Sequence, residues 1–206
     1  MRFRELVEMS TFINQKLPTT DVKVYVVSVD TLDREYDMLG VFKVRDLVVA
    51  AALKKDKSSA IIGPAVIRND DKLSMEVVAT LKFHEAPELG EAASEKSLQV
   101  NTVVATDDVH GFGYGYQLYK MILNHGYTIV CDNIQYIGGK ELWLKIIRKS
   151  AADKHNVFIL RYGKYIRDDA GNPVVFDGVN ISPDDIWSTD KKSERHYYTL
   201  LVAKNI

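Results

Sequence analysis

Sulfur cross-linking has no place in this chain. Cys131 is its one cysteine, so no disulfide joins two of its own segments, and the fold does not rely on an oxidising compartment. Long apolar runs are also lacking. The purest, Leu47–Leu53, falls far short of the roughly 20 residues a membrane-spanning helix needs. The N-terminal residues carry no apolar core of the signal-peptide kind. Charge of one sign is scarce: 27 basic against 28 acidic residues leave a formal net charge of -1. That balance argues against a bulk electrostatic grip on nucleic acid. The histidines His84, His125, His155 and His196 show no metal-ligand spacing with cysteine or carboxylates, so no metal is expected. There is no internal repeat, no low-complexity tract and no linker.

What is present is ordinary for a soluble globular protein: 206 residues, 46% hydrophobic and 27% charged. A chain of this size buries enough surface to fold without metal or disulfide staples. We expect a single domain over residues 1–206, cytoplasmic, with no membrane partner.

The periodicities predict a helix over Arg2–Lys16, where Phe3, Leu6, Val7, Met9, Phe12 and Ile13 recur at helical spacing before Pro18. Val22–Val29 reads as a strand, Asp30–Gly40 as a polar connection and Val41–Lys55 as a helix. Ser59–Arg68 and Leu73–Phe83 form a hairpin about Asn69-Asp70-Asp71, and Glu85–Glu95 is a solvated loop. Leu98–Ala105 is a strand, Gly115–Asn124 a helix, Tyr127–Cys131 a short strand and Gly139–Lys149 a helix. Val157–Tyr162 and Tyr197–Ala203 are the last strands, with an extra hairpin around Pro173–Phe176. This order implies a mixed α/β fold around one sheet rather than regular βαβ alternation.

The most informative stretch runs from Val103 to Tyr119. A strand ends in a turn with alternating glycines, Gly111, Gly113 and Gly115, and a helix follows at once. Glycines free the backbone and admit a ligand closely. The unpaired N–H groups and dipole of the helix start make an anion site suited to a pyrophosphate. A Walker loop would end in Gly-Lys-Ser/Thr, which is missing, and a Rossmann fingerprint would read G-x-G-x-x-G in an early βαβ unit. An acyl-CoA pyrophosphate loop and a plain glycine-rich turn are the readings left.

His110-Gly111-Phe112-Gly113-Tyr114-Gly115 resembles the Arg/Gln-Gly-x-Gly-x-Gly/Ala signature of the GNAT superfamily of acetyl-CoA-dependent N-acetyltransferases. Leu118-Tyr119, then Gly126 before the Tyr127–Cys131 strand, then Glu141-Leu142-Trp143-Leu144-Lys145 match the elements that follow it. The pattern Cys131-Asp132, Gln135, Leu142-Trp143-x-Lys145 is similar to a phage and bacterial subgroup. The resemblance is carried by residues 98–147. It implies a GNAT-like fold, a mixed and mostly antiparallel central sheet flanked by helices, and acetyl-CoA as co-substrate. Thr102, Val103 and Val104 would offer backbone groups to the pantetheine arm, and His110–Gly115 (His110, Gly111, Phe112, Gly113, Tyr114 and Gly115) would hold the pyrophosphate.

Three positions depart from the family. His110 replaces the usual Arg or Gln at the loop start. Trp143 stands where a tyrosine often serves as general acid, leaving Tyr136, Tyr114 or Tyr116 as substitutes. Ser97 occupies the approximate place of the expected carboxylate, with Glu95, Glu85 and Glu76 as alternatives. Glu85 and Tyr136 are carried forward as base and acid. Cys131 reads as a small core hydrophobe. Lys140, Lys145, Arg148 and Lys149 read as a solvated helix face, with contact to the CoA 3′-phosphate or to nucleic acid as the functional alternative.

The implied activity is transfer of an acetyl group from acetyl-CoA to an amine, of a small molecule or a protein, by direct attack in a ternary complex. Two alternatives stand beside it. One is an inactive interaction protein on the same scaffold, a phage-type effector in a host cytoplasm. The other is a relative that modifies nucleic-acid bases, which the near-neutral charge disfavours. A homodimer is compatible with each.

Overall fold

The computed structural model describes residues 12–13, 25–44, 47–67, 73–85, 87, 89–105, 113–131, 135–181, 186 and 199–205. Over these residues the protein is mixed α/β, with a large, mostly antiparallel open sheet and three helices. In chain order the elements are β1 (Phe12–Ile13), β2 (Tyr25–Ser28), α1 (Val29–Glu35), β3 (Tyr36–Val44), β4 (Leu47–Lys54), β5 (Ser59–Ile67), β6 (Leu73–Val77) and β7 (Ala79–Phe83). They continue as β8 (Ser97–Ala105), α2 (Tyr114–Asn124), β9 (Thr128–Val130), β10 (Gln135–Tyr136), α3 (Ile137–Lys149), β11 (His155–Arg161), β12 (Lys164–Tyr165) and β13 (Thr199–Asn205). Among the described residues no helix is long and apolar enough to cross a membrane.

The chain falls into two compact units. One comprises Thr20–Glu85 and Val100–His125; the other Met1–Thr19, Ala86–Gln99 and Gly126–Ile206. In the first, β3, β4, β5, β7 and the later part of β8 form an antiparallel sheet in that order. Register partners share a face of the sheet. Tyr36, Lys54, Ala52, Ile61, Thr80 and Val104 therefore lie on one face, and Leu53, Ala60, Leu81 and Val103 on the other. Val27, Leu32, Ala50, Ala52, Ile61, Met75 and Val77 pack as one cluster with Tyr36 against it, so α1 and the β2–β6 ribbon cover the first face. Helix α2 packs against β3, β4, β5 and β7. Burial of Tyr36 raises its phenol pKa, with the phenol of Tyr25 adding to the shift.

Strand β5 serves two partners. Ser59–Ile62 pair with β7 and Ala65–Ile67 with β6. At the switch sits Gly63, where an added Cβ would lie 1.8 Å from the Glu76 carbonyl oxygen. Two backbones meet there with no room for a side chain.

In the second unit β13 lies between β9 and β11 and is antiparallel to both. Trp143, Ile146 and Ile147 of α3 are buried, as is Phe176, whose N–H donates to the Val157 carbonyl at 2.7 Å. Glu91, in a 3-10 turn over Gly90–Ala92, clamps the segment after β11: its Oε2 accepts from the Tyr165 N–H at 2.9 Å and from Arg167 Nη2 at 3.0 Å. The Tyr165 N–H first, then Arg167, hold the Glu91 carboxyl below its usual pKa.

Four sequence expectations are corrected. Val41–Lys55 is not a helix but the end of β3 and the whole of β4, paired from Val41↔Ala50 to Val44↔Leu47. Its valines lose rotamer freedom in a helix, and Val49–Leu53 is an unbroken buried run, as in a central strand. Asp30–Gly40 is not a connection: Ser28 caps α1 by accepting from the Thr31 N–H at 3.3 Å, and β3 follows directly. Phe12–Ile13, placed in a helix, instead form a short strand parallel to β10, whose backbone pairing outweighs local helical spacing; the rest of Arg2–Lys16 lies outside the described residues. The Leu73–Phe83 arm is also split, at Val78, into β6 and β7.

Two outcomes follow from this packing. Gly63→Ala should destabilise the protein by about 3 kcal/mol, a Tm drop of about 6–12 °C; a Tm within about 2 °C of wild type would contradict the close approach. The depressed Glu91 pKa means the clamp is complete above the ordinary carboxylate range and is lost as pH falls through the folded value. The protection factor of the Tyr165 amide should therefore step down only once pH has fallen below the ordinary carboxylate range. In Glu91→Gln it should be low at neutral pH with no step. A protection factor that ignores pH in the wild type would remove Glu91 from the clamp.

Candidate functional site

Strand β8 changes partners along its length. Ser97–Gln99 pair in parallel with β9, ending at Gln99↔Val130. From Val100 onward β8 pairs with β7, and among the described residues no strand takes the other flank of Val100–Ala105. Backbone N–H and C=O groups on such a flank are available to a ligand that pairs as a strand does.

The same stretch carries a bulge. Lys82 faces Thr102 and Phe83 faces Val100, so Asn101 is an extra residue. Bulges re-aim side chains and are enriched beside active sites. Asn101 is exposed, its Oδ1 accepts from the Thr102 hydroxyl at 2.7 Å, and its amide nitrogen lies 3.4 Å from His84 Nδ1. With Oδ1 taken by the hydroxyl, the amide N–H is the donor turned to the imidazole, which makes Nδ1 the acceptor.

Helix α2 opens at Gly113, whose φ of 74° and ψ of 23° lie in the left-handed region that costs other residues energy. No side chain caps this end, and the Gly113 carbonyl accepts from the Gln117 N–H at 2.9 Å. The buried face of the helix is Tyr114, Tyr116, Leu118, Tyr119, Ile122 and Leu123. The open flank of β8 and the start of α2 belong to the same unit.

Of the residues singled out in the sequence, Thr102, Val103 and Val104 lie on the open flank, with Thr102 and Val104 on the α1 face and Val103 on the opposite one. Gly113, Tyr114 and Gly115 form the helix start, while His110, Gly111 and Phe112 lie outside the described residues. Tyr114 and Tyr116 are buried with the inward face, which withdraws them as acids toward an exposed substrate. Glu85 is exposed just after β7 in this unit. Tyr136 belongs to the other unit, in β10. Ser97 spends its hydroxyl on the Ala92 carbonyl at 2.6 Å. Cys131 is buried and its sulfur accepts from the Leu201 N–H at 3.0 Å, while Trp143 is a packing residue.

Asn101 was not singled out, although the signal is in the chain. Leu98, Val100, Val103 and Ala105 of β8 step by two, by three and by two, with Val104 on the other face. That single break in the period of two is the bulge.

No protein-family model matches the chain, and no curated protein or solved structure matches it significantly.

Proposed function

We propose that this protein is an acetyl-CoA-dependent N-acetyltransferase of the GNAT-like kind. One observation carries the reading: a bulged strand with a half-open flank runs toward a helix whose first turn is set by a left-handed glycine. The resemblance of residues 98–147 to the GNAT pattern supports the same assignment.

The residues present fit such a co-substrate. The flank of Thr102–Ala105 offers strand-like hydrogen bonds to the amides of a pantetheine arm. The uncapped N–H groups after Gly113 suit a pyrophosphate. Bound acetyl-CoA supplies an activated acetyl thioester. Asn101 lies at the end of the open flank that is farther along the chain from the helix start, and the acyl end is assigned to Asn101, Thr102 and His84.

There the protein's task is positioning and proton management. The acceptor nitrogen bonds to the carbonyl carbon and the carbon–sulfur bond breaks. One proton leaves the ammonium before attack, a second leaves the nitrogen afterwards, and one of these ends on the CoA sulfur. Glu85 is the group assigned to accept the first; in the neighbouring His84, Nδ1 already accepts from Asn101, which leaves Nε2–H as a donor that can orient the acceptor. Backbone N–H groups of β8 polarise the carbonyl.

Titration calorimetry tests the reading. Acetyl-CoA should bind with micromolar affinity, about 8 kcal/mol. Gly113→Asp, which puts a negative charge at the phosphate site, should weaken it at least about a hundredfold. Gly113→Asn makes the same backbone demand without the charge and should stay within about fivefold of wild type. Equal affinities for the two variants, or no binding by the wild type at millimolar ligand, would overturn the assignment.

A further inference from the structure

The sheet face beneath α1 has a one-sided charge pattern. Following the register from β3 to β8, that face carries Tyr36, Met38, Val41 and Lys43, then Val48, Ala50, Ala52 and Lys54, then Ser59 and Ile61, then Thr80 and Lys82, then Thr102 and Val104. Every charged residue these strands place there is a lysine, and none is a carboxylate. Lys54 is neutralised by Asp56 at 3.2 Å, and of the acids on α1, Glu35 is held by Arg34 at 2.6 Å. Lys82 differs from Lys54. It is exposed, it faces Thr102 directly across the β7–β8 ladder, and among the described residues its side chain has no hydrogen bond or ion pair.

This position conflicts with a simple amine acceptor. Neighbouring strands lie about 4.8 Å apart, so an ammonium arriving at Thr102 and the Asn101 bulge comes within a few ångströms of a second, unneutralised cation. An acceptor that brings its own anion removes the conflict, because the anion can pair with the Lys82 ammonium through a charge-assisted hydrogen bond. The hydroxyl of Thr80 lies on the same face to support it, while that of Thr102 is donated to Asn101 Oδ1.

We infer that the acceptor is an amine bearing a carboxylate or a phosphate, and that Lys82, next to Thr102, is the residue that selects it. This rests on the acetyltransferase reading above. The acids and bases nearest to Lys82 on its own segment are His84 and Glu85; Ser59 is its partner on β5.

The test is steady-state acetylation by the full-length protein, read as release of free CoA. Its three acceptors are β-alanine for the carboxylate, phosphoethanolamine for the phosphate and spermidine for a purely cationic amine. At least one anionic amine should exceed spermidine by tenfold or more in kcat/KM, and whichever does so identifies the anion. Lys82→Glu should reverse that preference. Lys43→Glu, the same charge change on the same face at the far strand, should leave it intact. Preference for spermidine, no acetylation of either anionic amine, or a ratio untouched by Lys82→Glu would each overturn the inference. If acetyl-CoA binds by calorimetry while these results appear, the inference alone fails. If acetyl-CoA does not bind, the acetyltransferase reading fails and takes the inference with it.

Discussion

A β-strand has two flanks of backbone donors and acceptors, and β8 pairs along one of them at a time: with β9 through Gln99, then with β7 from Val100. Beyond that residue β8 continues for six residues with β7 alone. Backbone polar groups need partners, from protein, water or ligand. This half-filled ladder is the constraint on which the site depends. It decides where a strand-like ligand can lie, and the bulge at Asn101 falls directly after the change of partner.

The rest of the first unit holds that stretch in place. Strands β4 and β5 are buried on both faces, with Ala51, Ala52, Ala60, Ile61 and Ile62 at 0% exposure. Small residues recur in this run, which lets α1 and the β2–β6 ribbon approach one face closely. At Gly63 the approach is closer still, backbone against backbone. Strand β7, which carries Lys82 and leads to His84, is the intermediate between this core and β8. Lys82, Asn101 and Thr102 are therefore mounted on strands of a dry sheet, and His84 and Glu85 directly follow β7, which is what precise positioning requires.

Much of this was legible in the chain, and the failures have physical causes. The strands with β-branched runs, such as Leu98–Ala105, and the helices with clear apolar stripes, such as the one holding Leu118, Met121 and Ile122, fall where their periods put them. Val41–Lys55 misled because a fully buried strand has no alternation, and its valines and alanines also fit a helical stripe by coincidence. Helix α1 was hidden by its length: seven residues give one buried position, Leu32, so only the Ser28 cap announces it. The glycine loop pointed to an anion site, but spacing carries no information about flanks. Neither the partner change at Gln99 nor the cationic row through Lys82 can be read before strand registers are known. Glu85 and Asn101 show the same limit from opposite sides. A carboxylate attracts attention by type, while an asparagine at a bulge matters by position.

Amide hydrogen exchange with and without acetyl-CoA tests the role of the half-open ladder most directly. The account predicts that ligand slows exchange at amides within Thr102–Ala105 and in the first turn after Gly113, while β4 and β5, already buried, change little. Protection confined to other segments, or exchange along Thr102–Ala105 that acetyl-CoA leaves unaltered at saturation, would contradict it.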